Sequence, residues 1–176
     1  MEYLKLVDFR RSFRKFQPKM VENHLLDQIF RATFTAPSSK SSRSSRFIVV
    51  TNPDILEQLS QMRSRGASFI KGAPMAIVVC GDNSLTDLWV DNCAISTTLM
   101  QLAIHDLGLG SCWVHVHSRL HVDGDENKGS VEDYLKGIID IPQNWSVACV
   151  VALGYPTDTP IAKKQYDDTD KILYVK

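Results

Sequence analysis

Charge of one sign is what this chain lacks most clearly. Twenty lysines and arginines meet twenty aspartates and glutamates, and the formal net charge is zero over 176 residues. A protein that coats nucleic acid nonspecifically needs a broad positive excess, so that partner class is excluded. Long hydrophobic runs are missing too, since no stretch approaches the roughly 18 apolar residues of a membrane span. The opening MEYLKLVDFRR has early acids and no apolar core ahead of a small-residue cleavage site, so a cytoplasmic location is expected. Cysteines are few, and none of Cys80, Cys93, Cys112 and Cys149 forms a Cys-x-x-Cys pair. They read as buried free thiols, not as a zinc site. No Gly-x-x-x-x-Gly-Lys occurs, and no Gly-x-Gly-x-x-Gly follows a strand, which excludes the two common phosphate-binding glycine loops.

What is present is a single stretch of alternating elements, with no repeat and no linker to divide residues 1–176 into domains. EYLKLVDFRR reads as a first helix, with Leu4, Val7 and Leu6 on one side. FRKFQPK reads as extended up to Pro18. ENHLLDQIFRATF has helical spacing, and FIVVT reads as a buried strand. ILEQLSQMRSR is an amphipathic helix, Gly66 to Gly72 a loop and APMAIVVC a second buried strand. TDLWVDNCAISTTLMQLAIHDLGLG is apolar almost all round, so it is expected to be buried on most sides, the extra face at a subunit interface. SCWVHV is a third strand, followed by a loop through His117, Arg119, His121 and DGDENKG. Ser130 with Asp133 caps VEDYLKGII, and SVACVVALGYP is a fourth strand. The tail from about 157 to 176 ends in strand-like KILYV and cannot bury itself alone. This order predicts a sheet covered by helices, α/β or α+β.

Three segments carry candidate chemistry. RRSFRKF, Arg10 to Phe16, packs three arginines and a lysine into seven residues. If extended, alternate residues share a face, so Arg10, Ser12 and Arg14 point one way. Two guanidinium forks flanking a hydroxyl suit a phosphate monoester; the same residues also suit a solvated basic patch. APSSKSSRSSR holds six serines in eleven residues and reads as a donor-rich loop. LGLGSCWVHV runs from a helix stop straight into a strand, where glycine lets backbone approach a flat ligand.

Taken together and in this order, with ALGYP after them, these segments resemble the FMN-dependent nitroreductase family. Arg10 to Phe16 match its opening Arg-Arg-Ser-x-Arg-x-Phe. Ala36 to Ser39 and Arg46 to Val50 match its Ala-Pro-Ser-Ser loop and the strand after it. KGAPMAIVV, WVDNCAISTTLMQLAIHDLGLGSCWV and VVALGYP resemble its Ala-Pro strand, its central helix with the following turn, and its last core strand. The resemblance implies an α+β, mixed-sheet sandwich covered by helices, working as an intertwined homodimer with the tail wrapped on the partner subunit. FMN would sit at each of two subunit interfaces. Carried over by position, Arg10, Arg11 and Ser12 would hold its phosphate and ribityl end, and Arg14 the pyrimidine edge. Pro37, Ser38, Ser39 and Ser41 would pack on the ring or its chain from the other subunit. Trp113, Val114 and His115 would lie along the ring with backbone N–H groups near N5 and O4. Lys163 or Lys164 would add a phosphate contact. The family continues Asn-Ser-Gln-Pro-Trp where this chain has Ser41, Ser42, Arg43, Ser44 and Ser45; Arg43 would serve as a donor to the ring's carbonyl edge. The chain also lacks a helical insertion between its second strand and long helix, which implies a more open pocket.

The implied activity is ping-pong hydride transfer from NADH or NADPH to a small-molecule electron acceptor such as a nitroaromatic or quinone. No protein nucleophile or metal is required. Two rivals stand beside it. One keeps the fold as a flavin-binding protein with a narrow or non-redox role. The other is a metal site built on His115, His117 and His121 with Asp123 or Asp125, because His-x-His on a strand puts two imidazoles on one face.

Overall fold

The computed structural model describes residues 2–175 except Pro160, Lys163 and Gln165. Its elements run α1 (Tyr3–Phe9), α2 (Asn23–Thr33), β1 (Ser45–Val50), α3 (Pro53–Ser60), β2 (Met75–Asp82), α4 (Trp89–Asp106), β3 (Gly110–His115), β4 (Leu120–Val122), β5 (Asp125–Ser130), α5 (Val131–Ile138) and β6 (Trp145–Gly154). Four strands form the main sheet in the order β1-β2-β6-β3, and each neighbouring pair is antiparallel. This corrects the expectation of a mixed sheet: among the described residues, the parallel pairing is an isolated bridge between Ser12 and Ser111.

The sheet is covered on both faces, and the period-two pattern of β2 shows how. Ala76, Val78 and Cys80 join a core with Leu56 and Leu59 of α3 and Val131 and Leu135 of α5. Met75, Ile77 and Val79 join a second core with Ile29 of α2 and Cys93, Met100 and Ile104 of α4. Successive side chains of a strand point to opposite faces, so a strand with no polar alternation must be buried twice. Burial also keeps the thiols protonated, raising Cys80 to about 12 and Cys93 to about 11.

Several local readings change. FIVVT is an outer strand, not a fully buried one: β1 has β2 on one side, and Val49 is exposed. Among the described residues, no strand pairs with its other edge. DGDENKG is not a loop but the turn and second strand of a hairpin, β4–β5, with Gly124 at φ 82°. Gly124 alone supplies the left-handed residue of this turn. α3 stops at Ser60, and Ser68–Gly72 forms a 3-10 turn. The Ser130–Asp133 capping box starts α5 as expected. None of α1 is buried and Leu4 is exposed. On α4, Ile95 is exposed and Leu99 and Leu102 are half-buried, leaving an apolar stripe at helical spacing. Ile172 to Val175 form no ladder among the described residues and are 57–90% exposed.

Glu22, the N-cap of α2, joins that helix to the end of β6. Its carboxylate accepts from the Tyr155 hydroxyl at 2.5 Å and pairs with Lys19 at 3.0 Å. The Tyr155 bond first, then a backbone bond and Lys19, hold its pKa at about 2, below the ordinary 4.5. A depressed carboxyl contributes stability above its unfolded pKa and loses it as pH falls through the folded value. Glu22→Gln is therefore expected to flatten the stability–pH curve between about 4.5 and 2 and leave it unchanged in slope near neutrality, as urea titrations at stepped pH will show.

Candidate functional site

The arginine segment is pinned by its aromatics. Phe13 and Phe16 are buried. The Phe13 N–H donates to Ser111 O at 3.0 Å, and Gln17 N–H donates to Tyr155 O at 2.8 Å. The segment thus runs beside the start of β3 and reaches the end of β6, with its polar residues left outward. A groove of about 500 Å³ opens there, lined by Arg11, Ser12, Phe13, Arg14, Lys15, Asp158 and Ile161. Arg10 and Arg14 have no carboxylate partner among the described residues. Both act on Cys112, whose thiol is pushed up by burial and partly brought back by Arg14, Ser12 and Arg10. Arg14 also lies 5.8 Å over the Phe69 ring. Arg11 lines the same groove and donates to the carbonyls of Ile161 and Ala162 at 3.0 and 3.2 Å.

The glycines at the start of β3 have local structural roles. Gly108 ends α4 with φ 78°. At Gly110 a Cβ would lie 2.9 Å from three atoms of the Phe13 side chain. The space beside Gly110 is filled by the chain's own aromatic anchor. Gly110→Ala is expected to cost about 1–3 kcal/mol and to loosen residues 10–16, which chemical denaturation and amide exchange at Phe13 will register.

β3 offers a free backbone edge. Ser111 O faces away from β6, because it accepts from Phe13. In an antiparallel ladder the backbone groups of alternate residues face the same side. Trp113 and His115 therefore also present theirs outward, beyond the point where the arginine segment leaves the strand. Val114 does not: its side chain is in the core and its backbone faces β6. The rings of Trp113 and His115 stack at 6.3 Å with 14° between planes.

The serine loop is hydrogen-bonded and strained. Lys40, Ser41 and Arg43 have φ of 50°, 54° and 47°, a left-handed conformation that non-glycine residues adopt rarely and mostly where the surroundings enforce it. The enforcing group is Asn92 of α4, a residue that the sequence pattern does not single out. It is buried; its Oδ1 accepts from the Ser39 N–H at 2.9 Å, and its Nδ2 donates to Ser42 and Ser44 hydroxyls at 3.1 and 2.9 Å. Ser38 Oγ accepts from the Arg43 N–H at 2.9 Å. An amide in the middle of an otherwise apolar helical run, WVDNCAIS, is the signal that could have found it. Pro37, Ser38 and Arg43 line a cavity of about 160 Å³ with Phe34, Phe47 and Asn92.

These two halves do not meet within one chain. The loop enters β1 and the arginine segment bridges β3, at opposite edges of the four-stranded sheet. Three strand spacings of about 4.8 Å separate those edges, and the two cavities share no residue. Of the tail lysines, Lys164 lies over the Tyr166 ring at 5.4 Å, and Lys163 lies outside the described residues. The three histidines of the metal reading turn to separate partners. His115 stacks on Trp113, His117 meets Trp89 edge-on, and His121 Nδ1 is 2.9 Å from Met62 O. No group of three metal-ligating side chains occurs among the described residues.

Residues 7–155 match the family described as the Nitroreductase family. The chain belongs to that family. A relative from Methanothermobacter thermautotrophicus, named "Putative NADH dehydrogenase/NAD(P)H nitroreductase", is 35% identical over 173 residues, covering 95% of this chain and 84% of that protein. Among solved structures, an FMN-dependent nitroreductase from Clostridium difficile R20291 is 37% identical, with a TM-score of 0.85 and 98% of each chain covered. A nitroreductase with bound FMN from Desulfitobacterium hafniense DCB-2, 24% identical with a TM-score of 0.75, shares the fold over 98% of this chain and 97% of that one. The α+β architecture of this nitroreductase-family chain is thus that of its relatives.

Proposed function

We propose that the protein is an FMN-dependent oxidoreductase that passes a hydride from NADH or NADPH to a nitroaromatic, quinone or similar acceptor. We further propose a homodimer in which each flavin site draws on both copies. The division of the site carries this reading. A cationic groove and a donor-rich loop stand on opposite edges of one sheet, and a twofold-related copy can set the loop of one against the groove of the other. The uncovered stripe of Ile95, Leu99 and Leu102 and the exposed Ile172–Val175 segment, placed on a neighbouring sheet edge, supply the apolar contact such a dimer requires.

The donor set fits FMN. Arg10 and Ser12, with Arg11 released from the tail carbonyls, offer charge-assisted bonds to a phosphate. Arg14 brings positive charge to the pyrimidine edge. Trp113 and His115 present backbone groups along the ring, while Val114 keeps the strand in place. Pro37, Ser38, Ser39, Ser41 and Arg43 of the second copy close the other side, and Lys163 or Lys164 reaches the phosphate. When bound, FMN supplies the two-electron chemistry, taking a hydride from the nicotinamide and giving it up to the acceptor. The residues of the chain bind, orient and shield. One pocket serving both substrates in turn gives ping-pong kinetics. The test is a visible spectrum of the purified protein after incubation with FMN, followed by NAD(P)H oxidation with a quinone. A protein that takes up no flavin contradicts the proposal.

A further inference from the structure

A second group of cations, Arg63, His117 and Arg119, lies further along β3 from Arg10 and Ser12, about His115, and of these residues the proposed flavin site uses only the His115 backbone. β6 bulges at Ala148, whose carbonyl accepts from both Val116 and His117 N–H at 3.1 Å. This ends β3 and starts a tight turn, closed by Arg119 N–H to Val116 O at 3.0 Å, with Ser118 at φ 56°. The turn gathers His115, His117 and Arg119 at one place. Arg63, from beyond α3, joins them, its Nη1 3.5 Å from His115 O on the open edge of the strand. The Arg63 Nε is buried without a hydrogen-bond partner. Neither Arg63 nor Arg119 forms an ion pair among the described residues. Asp123, brought near by its N–H to Ser64 Oγ at 3.3 Å, is exposed. The His115 imidazole is held below its ordinary pKa first by burial, then by Arg119, His117 and Arg63; no carboxylate acts on it.

We propose that Arg63, His117 and Arg119, grouped about His115, form a binding site for an anionic group on the reductant or acceptor, a phosphate or carboxylate. An unpaired, partly buried guanidinium among like charges is costly unless an anion completes it. From Ser111 to His115 the strand advances about 13 Å, so this group is well separated from the segment assigned to the FMN phosphate. Trp113 stacked on His115 and Trp89 against His117 add flat surfaces beside the charge. The site rests on the flavin assignment only for its substrate role; its affinity for anions is a property of the chain itself.

Two measurements test it. Inorganic phosphate titrated into the flavin-loaded protein should shift the imidazole C–H resonances of His115 and His117 in a saturable way, and Arg63→Gln/Arg119→Gln should abolish that shift. This readout survives even if the proposed reaction is wrong. In steady-state assays the same double variant should raise the KM for 4-nitrobenzoate about tenfold relative to neutral 4-nitrobenzyl alcohol, or raise the KM for NADPH relative to NADH by a similar factor, with flavin content unchanged. The first result identifies an acidic acceptor and the second the 2′-phosphate of the reductant. Arg63→Lys/Arg119→Lys should recover part of the loss. No saturable phosphate shift, equal effects on charged and neutral compounds, or loss of flavin from the glutamine variant would each overturn the proposal.

Discussion

Arg10→Ala lowers the affinity of the flavin-free protein for FMN by about ten- to a hundredfold, the range expected for losing one charge-assisted contact to a phosphate. Quenching of flavin fluorescence on binding measures it directly. The size of the effect follows from the lack of alternatives. Arg10 has no carboxylate to release among the described residues, so its charge is available in full, and Arg11 is engaged by Ile161 and Ala162. Folding should be nearly untouched, because the segment is anchored by Phe13 and Phe16, not by its cations. Unchanged affinity in Arg10→Ala would remove that residue from the phosphate site.

Asn92→Ala should be more disruptive, costing about 2–4 kcal/mol in urea unfolding. Three bonds of a buried amide are lost at once, and the Ser39 N–H and the Ser42 and Ser44 hydroxyls lose their partner. The left-handed residues Lys40, Ser41 and Arg43 are then held only by bonds within the loop and from Arg46. Because Lys40 and Arg43 are trypsin sites, the loop becomes readily cut in the variant while the wild-type loop resists. A variant within about 0.5 kcal/mol of wild type, with an intact loop, would show that Asn92 does not organise it.

The parts of this fold that are legible in the sequence are those fixed by local pattern. The apolar run Met75 to Cys80 of β2, the Gly108 stop and the Ser130–Asp133 cap each follow from residues close together in the chain. What is not legible depends on distant partners. FIVVT looks like a central strand because its composition says nothing about which edge it occupies. Gly110 can be assigned to a ligand only while Phe13 is not known to fill its space. The serine loop looks flexible because Asn92, its organiser, is fifty residues away in the chain. The β4–β5 hairpin is legible in principle, since Asp123-Gly124 marks it, but polar DENKG hides the strand that follows.

The most direct measurement of the shared site mixes two defective copies. Arg10→Ala/Arg14→Ala breaks the groove, and Ser38→Ala/Ser39→Pro breaks the loop; each variant alone should retain little FMN. A heterodimer of the two, purified by separate affinity tags, has one site with both defects and one with neither. If each site takes its groove from one copy and its loop from the other, the heterodimer binds about one flavin per dimer. If the heterodimer binds none, each copy builds its own site, and a flavin shared between two copies is contradicted.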